Sequence, residues 1–190
     1  MLRSITFKQD YRCFKEGFTL EFRPGITLLV GDQGTGKSTI LQLLMMKTRD
    51  WKDKVVIDAD RVEVKSFDFE MDNPRIQQYF RENVDIMVQI GSGRVSHGMF
   101  NKALLETLTQ AEKVVVLLDE PDQAMSPRSC YKMARIFDRV LEKGCQLVAS
   151  VHNPIIISTQ PEVYSLEHRE WVAPEDFLES QRGPEEQKDA

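Results

Sequence analysis

Apolar and polar positions along the chain fall into two alternating kinds of segment. The run Ile26–Val30 (ITLLV) and the run 114–118 (VVVLL) are continuously apolar, as strands buried on both faces are. Gln146–Ser150 (QLVAS) is read as a third such strand and 162–166 as a fourth. Between them lie helical spacings. Residues 37–47 (KSTILQLLMMK) carry apolar side chains around most of the circumference, including Met45 and Met46, which are read as core packing. Pro74 opens a helix to about Val88, residues 99–110 place Leu104, Leu105 and Leu108 on one side, and Ser126-Pro127 begins a helix to about Lys143, stopped by Gly144. The beginning of the chain is different. Leu2–Phe7 and residues 19–22 alternate, with the turn Arg23-Pro24-Gly25 after them, and 55–57 and 62–69 read as further strands. The pattern predicts an α/β fold with a mainly parallel core sheet flanked by helices and an N-terminal antiparallel β-layer.

Length and charge narrow this. The 190 residues suit one domain, placed at 1–172, followed by an acidic mobile tail at 173–190. The chain carries 25 Lys+Arg against 30 Asp+Glu, a net charge of −5, and the tail alone accounts for most of it. Bulk charge therefore does not support nucleic-acid binding, and only a local patch would permit it. Cys13, Cys130 and Cys145 are widely spaced and odd in number, matching neither a disulfide framework nor a zinc signature. With no apolar run near 18 residues and no leader-like start, a cytoplasmic protein without membrane contact is expected.

Two motifs carry chemistry. Gly31-Asp32-Gln33-Gly34-Thr35-Gly36-Lys37-Ser38 satisfies the phosphate-loop pattern G-x-x-x-x-G-K-[ST], between an apolar strand and a helix. Its glycines let successive N–H groups face phosphate oxygens, and the helix N-terminus adds partial positive charge. Lys37 is expected at the β- and γ-phosphates, and the Ser38 hydroxyl on Mg²⁺. The second motif is Asp119-Glu120-Pro121 at the end of the strand 114–118, where open α/β sheets bind ligands. Asp119 is expected to hold Mg²⁺ through water and Glu120 to act as general base.

The extended form Gly31–Thr39, together with the hydrophobic-Asp-Glu-Pro run, resembles the ABC-type P-loop ATPases, including SMC and Rad50-like heads. Small stand-alone ATPases labelled as AAA-family, with the same ABC-like core, are similar in character. The resemblance runs from Ile5-Thr6-Phe7…Tyr11-Arg12-Cys13-Phe14 to the strand at 163–166. It implies ATP and Mg²⁺ as cofactors, Thr39 as part of the nucleotide site, and a signature at Ser96-His97-Gly98, with Gly91-Ser92-Gly93 as a rival placement. Ser96 and Gly98 would face a γ-phosphate held by a partner subunit. Gln123–Pro127 resembles the D-loop, and His152 the switch histidine that contacts the γ-phosphate. The Q-loop belongs near Phe67-Asp68-Phe69-Glu70, where Glu70 would replace a missing glutamine. Tyr11 and Phe14 are read as core, with adenine stacking as the other reading.

The function this implies is an ATP-hydrolysing ATPase working as an ATP-sandwich homodimer, with an effector or nuclease as a further protein partner. Only 58 residues separate Lys37 from Ser96, too few for a long coiled coil or a full helical subdomain. DNA repair, phage DNA processing and antiphage defence are the contexts the resemblance brings. Two other classes stand beside it: a P-loop kinase, and a nucleotide-gated interaction module with little turnover.

Overall fold

Three strands with no polar face lie side by side at the centre of the molecule, as continuous apolar runs require. The computed structural model describes residues 1–48, 50–61, 63–68 and 104–182. Its larger sheet joins β3 (Ile26–Val30), β5 (Val64–Asp68), β6 (Val115–Asp119), β7 (Gln146–Ser150), β8 (Val163–Ser165) and β9 (Glu170–Val172) in the order β5-β6-β7-β3-β8-β9. All pairings are parallel except the β8–β9 hairpin. A smaller antiparallel sheet joins β1 (Leu2–Phe7), β2 (Thr19–Glu21) and β4 (Val55–Ala59) in the order β2-β1-β4. This is the α/β architecture the pattern predicts.

Each central strand feeds two cores. Leu28, Val116, Leu118, Leu147 and Ala149 face one side, against residues 104–109 (helix α3), α4 (Pro127–Glu142), α5 (Pro154–Ile157) and α6 (Pro174–Ser180). Leu29, Val115, Leu117 and Val148 face the other, against α1 (Lys37–Leu44) and the antiparallel layer. A short helix α2 (Trp51–Lys54) leads into β4. Side chains along each strand alternate between the two faces without alternating in polarity, because apolar material covers both.

Local chemistry sets the helix ends. Ser126 caps α4 by accepting from the amide of Ser129, Pro127 follows in the first turn, and Gly144 stands with φ of 75° just past the C-cap. Helix α1 stops at Leu44, three residues earlier than its apolar run suggests. Met45 is its C-cap and Met46 takes a left-handed φ of 56°, turning to 56% exposure, so Met46 is not core as expected. Residues 174–180 of the acidic C-terminal stretch form α6, with Phe177 buried in the core beside α4 and α5, whereas 183–190 lie outside the described residues. The helix expected from Pro74 also lies outside them.

The two sheets are stapled by one buried side chain. Gln146 at the start of β7 accepts from the Leu2 amide at 2.8 Å and donates to the carbonyls of Leu2 and Arg23 at 2.8 and 3.1 Å. A buried amide is stable only with its hydrogen bonds met, and Gln146, itself on the larger sheet, meets them on β1 of the smaller one and on the loop before β3.

Candidate nucleotide site

Register brings the polar residues of the site into one row. Asp68 at the end of β5 pairs with Asp119 at the end of β6, which pairs with Ser150 at the end of β7. In turn β3 pairs Leu29 with Ser150, runs one residue further, and opens into Gly31. Four strands thus end together, at the edge where ligands gather in parallel sheets.

The loop after β3 curls around its own lysine. Lys37 is 5% exposed and donates from Nζ to the carbonyl oxygens of Gly31 and Asp32, at 2.6 and 2.9 Å. Burial lowers the lysine pKa, opposed by Glu120, Asp119 and other nearby carboxylates. Thr35 donates its hydroxyl to the Asp32 carbonyl at 2.8 Å, and the exposed carboxylate of Glu167 accepts the Asp32 amide at 2.7 Å. Gly36, with φ of 102°, passes so close to the opening layer that an added Cβ would lie 2.4 Å from the Phe14 ring and 2.7 Å from Cys13 Sγ. Arg12, from the same opening segment, donates to the Thr39 hydroxyl at 2.9 Å.

Beside the loop, hydroxyls converge on a buried carboxylate. Asp119 Oδ1 accepts from Ser38 at 3.2 Å and from Ser150 at 2.6 Å. Burial pushes the Asp119 carboxyl up; the Ser150 and Ser38 hydrogen bonds pull it down, while the charges of Asp68 and Glu120 add to the rise. The same Ser150 hydroxyl accepts the Glu120 amide at 2.9 Å. Glu120 sits at φ of 50°, a left-handed backbone that non-glycine residues take at a cost of about 1–2 kcal/mol. Its carboxylate stands between His152 Nε2 at 3.4 Å and the Gln123 amide at 3.1 Å.

The family described as AAA ATPase domain matches residues 1–108, more than half of the chain and the part that holds the phosphate loop. The chain belongs to that family. Its fold is shared with solved ABC transporter structures. An ABC transporter described as metal-chelate type, in an inward-facing conformation, matches at TM-score 0.56 and 14% identity, over 94% of this chain and 86% of that one. The cbiO1 part of the cbiONQ ABC transporter complex of Clostridium perfringens matches at TM-score 0.56 and 14% identity, over 95% and 92%. A bacterial Atm1-family ABC exporter with ATP bound matches at TM-score 0.55 and 15% identity, over 97% of this chain and 41% of that one. At such identities the likeness is one of fold. No curated protein sequence matches.

The structure brings together Lys37, Ser38, Asp119, Glu120 and His152, all five expected at one site, the last three from beyond the matched residues 1–108. Gly31, Asp32 and Gln33 line a cleft of about 830 Å³ with Glu120 and His152, and α6 forms its far wall. Gly34, Thr35, Gly36 and Thr39 complete the loop and the first turn of α1. Phe14 is core, and Tyr11 is half-buried. Ser96, Gly98, the rival Gly91–Gly93 and Glu70 lie outside the described residues.

Three residues of the site escaped sequence reasoning. Asp68, inside the stretch searched for a Q-loop, is 3% exposed beside Asp119, with Lys47 Nζ at 3.6 Å. Ser150 read as the end of a strand. Asp122 carried no reading at all, yet it is 7% exposed, and its Oδ2 accepts the amides of His152 and Asn153 at 2.8 and 2.6 Å. Its other oxygen is buried without a partner among the described residues. The only available signal was position: each lies within three residues of a strand end that already carried a motif.

Proposed function

We propose that the chain binds and hydrolyses ATP with Mg²⁺, as an ABC-type ATPase that dimerises around the nucleotide and drives or gates a partner protein. The observation that carries this reading is the row Ser38–Asp119–Ser150, with Glu120 held beside it between His152 and Gln123 at the mouth of the phosphate loop.

The donor set fits Mg²⁺. The ion prefers oxygen, keeps several waters, and takes one or two protein ligands beside substrate phosphates. Ser38 and Asp119 offer a hydroxyl and a carboxylate within 3.2 Å of each other, and a cation there would offset the burial that raises the Asp119 carboxyl. The metal neutralises charge on the phosphates when bound. The chain does the rest. Lys37 leaves the carbonyls of Gly31 and Asp32 for the β- and γ-phosphates, while the loop amides hold the phosphate oxygens. Glu120 orients and deprotonates the attacking water, and His152, 3.4 Å away, reaches the γ-phosphate. Ser150 fixes both the Asp119 carboxylate and the Glu120 backbone, so one hydroxyl sets the spacing of metal ligand and base. The second half of the site comes from Ser96 and Gly98 of a second copy.

The test is the solution mass of Glu120→Gln with and without Mg-ATP, alongside its turnover. Losing a general base lowers turnover by about 10²- to 10⁴-fold, and the uncut nucleotide then holds two chains together. Doubling of mass only with Mg-ATP, abolished by Ser96→Arg, is the expected result. A variant that binds ATP and stays monomeric defeats the homodimer and leaves a site completed by another protein or a phosphoryl acceptor.

A further inference from the structure

Helix α4 carries its own charge pattern on the face away from the core. At 100° per residue, Arg128, Lys132, Arg135 and Arg139 fall within an arc of about 60° along roughly 16 Å of helix. All four are exposed, and none makes a side-chain hydrogen bond or ion pair among the described residues. Tyr131 stands beside this stripe, about 40° outside the arc, on the lining of the same groove and at 56% exposure. Beneath them runs a groove of about 750 Å³ between α3 and α4, floored by the buried Leu105 and Ile136. Glu106 is the only carboxylate among the described residues lining it. Asp138 and Glu142 follow at the C-terminal end of α4, so the positive charge is densest over its first half. Lys143 donates to the Thr109 carbonyl and ties the ends of the two helices together.

Four like charges on one narrow stripe repel one another and lower helix stability, so the arrangement calls for an anionic occupant. We infer that the α3–α4 groove binds a single strand of nucleic acid, with the cations tracking its phosphates and Tyr131 stacking on a base. The combination of a cationic groove and an accessible ring face is what sequence-tolerant strand binding uses. A duplex hides its base faces in the stack and gives Tyr131 nothing to stack on. The acidic side chains of a peptide offer charge without rings, whereas every nucleotide of a strand brings both. The net charge of −5 concerns the whole surface, and this stripe is the local exception.

The inference does not rest on the ATPase reading, and its test needs no ATP. A fluorescein-labelled oligo-dT of about 16 nucleotides is titrated with the full chain over a series of salt concentrations. The expected logarithmic salt slope is about −3 for four phosphate contacts on a single strand. Arg128→Ala with Arg135→Ala brings that slope to about half, without lowering the melting temperature, since both side chains are exposed and their removal relieves repulsion. Tyr131→Ala weakens binding roughly five-fold or more at an unchanged slope. No binding, or a slope the double variant leaves intact, overturns the inference. So does displacement by a polyglutamate peptide together with indifference to Tyr131→Ala, which identifies an acidic protein as the occupant. A failure here leaves the Glu120→Gln mass experiment untouched, and the reverse holds too.

Discussion

Asp122 holds the loop that carries His152 by two backbone amides on a single oxygen, and that makes it the residue on which the position of the histidine depends. Asp122→Ala leaves those amides unmet and costs about 1–3 kcal/mol. It is expected to lower kcat at least ten-fold while KM for ATP moves little. Asp122→Asn keeps an acceptor and is expected to recover most of the turnover; equal loss in both variants would mean that charge, not loop placement, is what matters. A second expectation concerns pH. The Asp119 carboxyl is raised by burial above its ordinary value near 3.9. The folded chain therefore keeps a proton that the unfolded chain has already released. Stability without nucleotide falls as pH rises from the ordinary carboxylate range through the raised value, and is flat above it. Melting curves across pH should show this step, and Asp119→Asn or added Mg-ATP should flatten it. Individual residues were read from the sequence where a motif spelled them out, as with Lys37, Ser38, Asp119 and Glu120. Asp122 and Ser150 were not, because their roles come from strand register and a backbone turn that no local pattern encodes.

Among elements, the phosphate loop and the opening β-layer act as one piece. Gly36 and Gly34 both have positive φ, but only Gly36 abuts another element, the Phe14 ring and Cys13. Gly34→Ala is expected to cost about 1 kcal/mol, the conformational cost alone. Gly36→Ala adds the displacement of a buried ring and is expected to cost about 2–4 kcal/mol, read from denaturant midpoints. Similar losses at the two positions would show that Phe14 yields easily. The strands β3, β6 and β7 were legible because continuous apolar runs admit few other readings. The antiparallel layer was legible from its alternation. The stop of α1 at Leu44 was not: its apolar pattern continues through Met45 and Met46, and the left-handed turn at Met46 leaves no mark in hydropathy. The short elements α2, α5, α6 and β9 also went unread, since three to seven residues give no periodicity to detect.

At the scale of the whole molecule, the fold class followed from the sequence, whereas the strand order β5-β6-β7-β3-β8-β9 did not. That order has a consequence for how the protein is made. Strand β3, at Ile26–Val30, has as its two neighbours β7 and β8, which begin at Gln146 and Val163. The amide and carbonyl of Leu2 likewise wait for the side chain of Gln146. A ribosome therefore delivers the phosphate loop more than a hundred residues before its support. Until then the most apolar strand of the chain has no sheet to enter, and pairing over such separations is slow to form. A nascent chain stalled before β8 would expose that strand to chaperones, and nucleotide binding would begin only once β7 and β8 have been made.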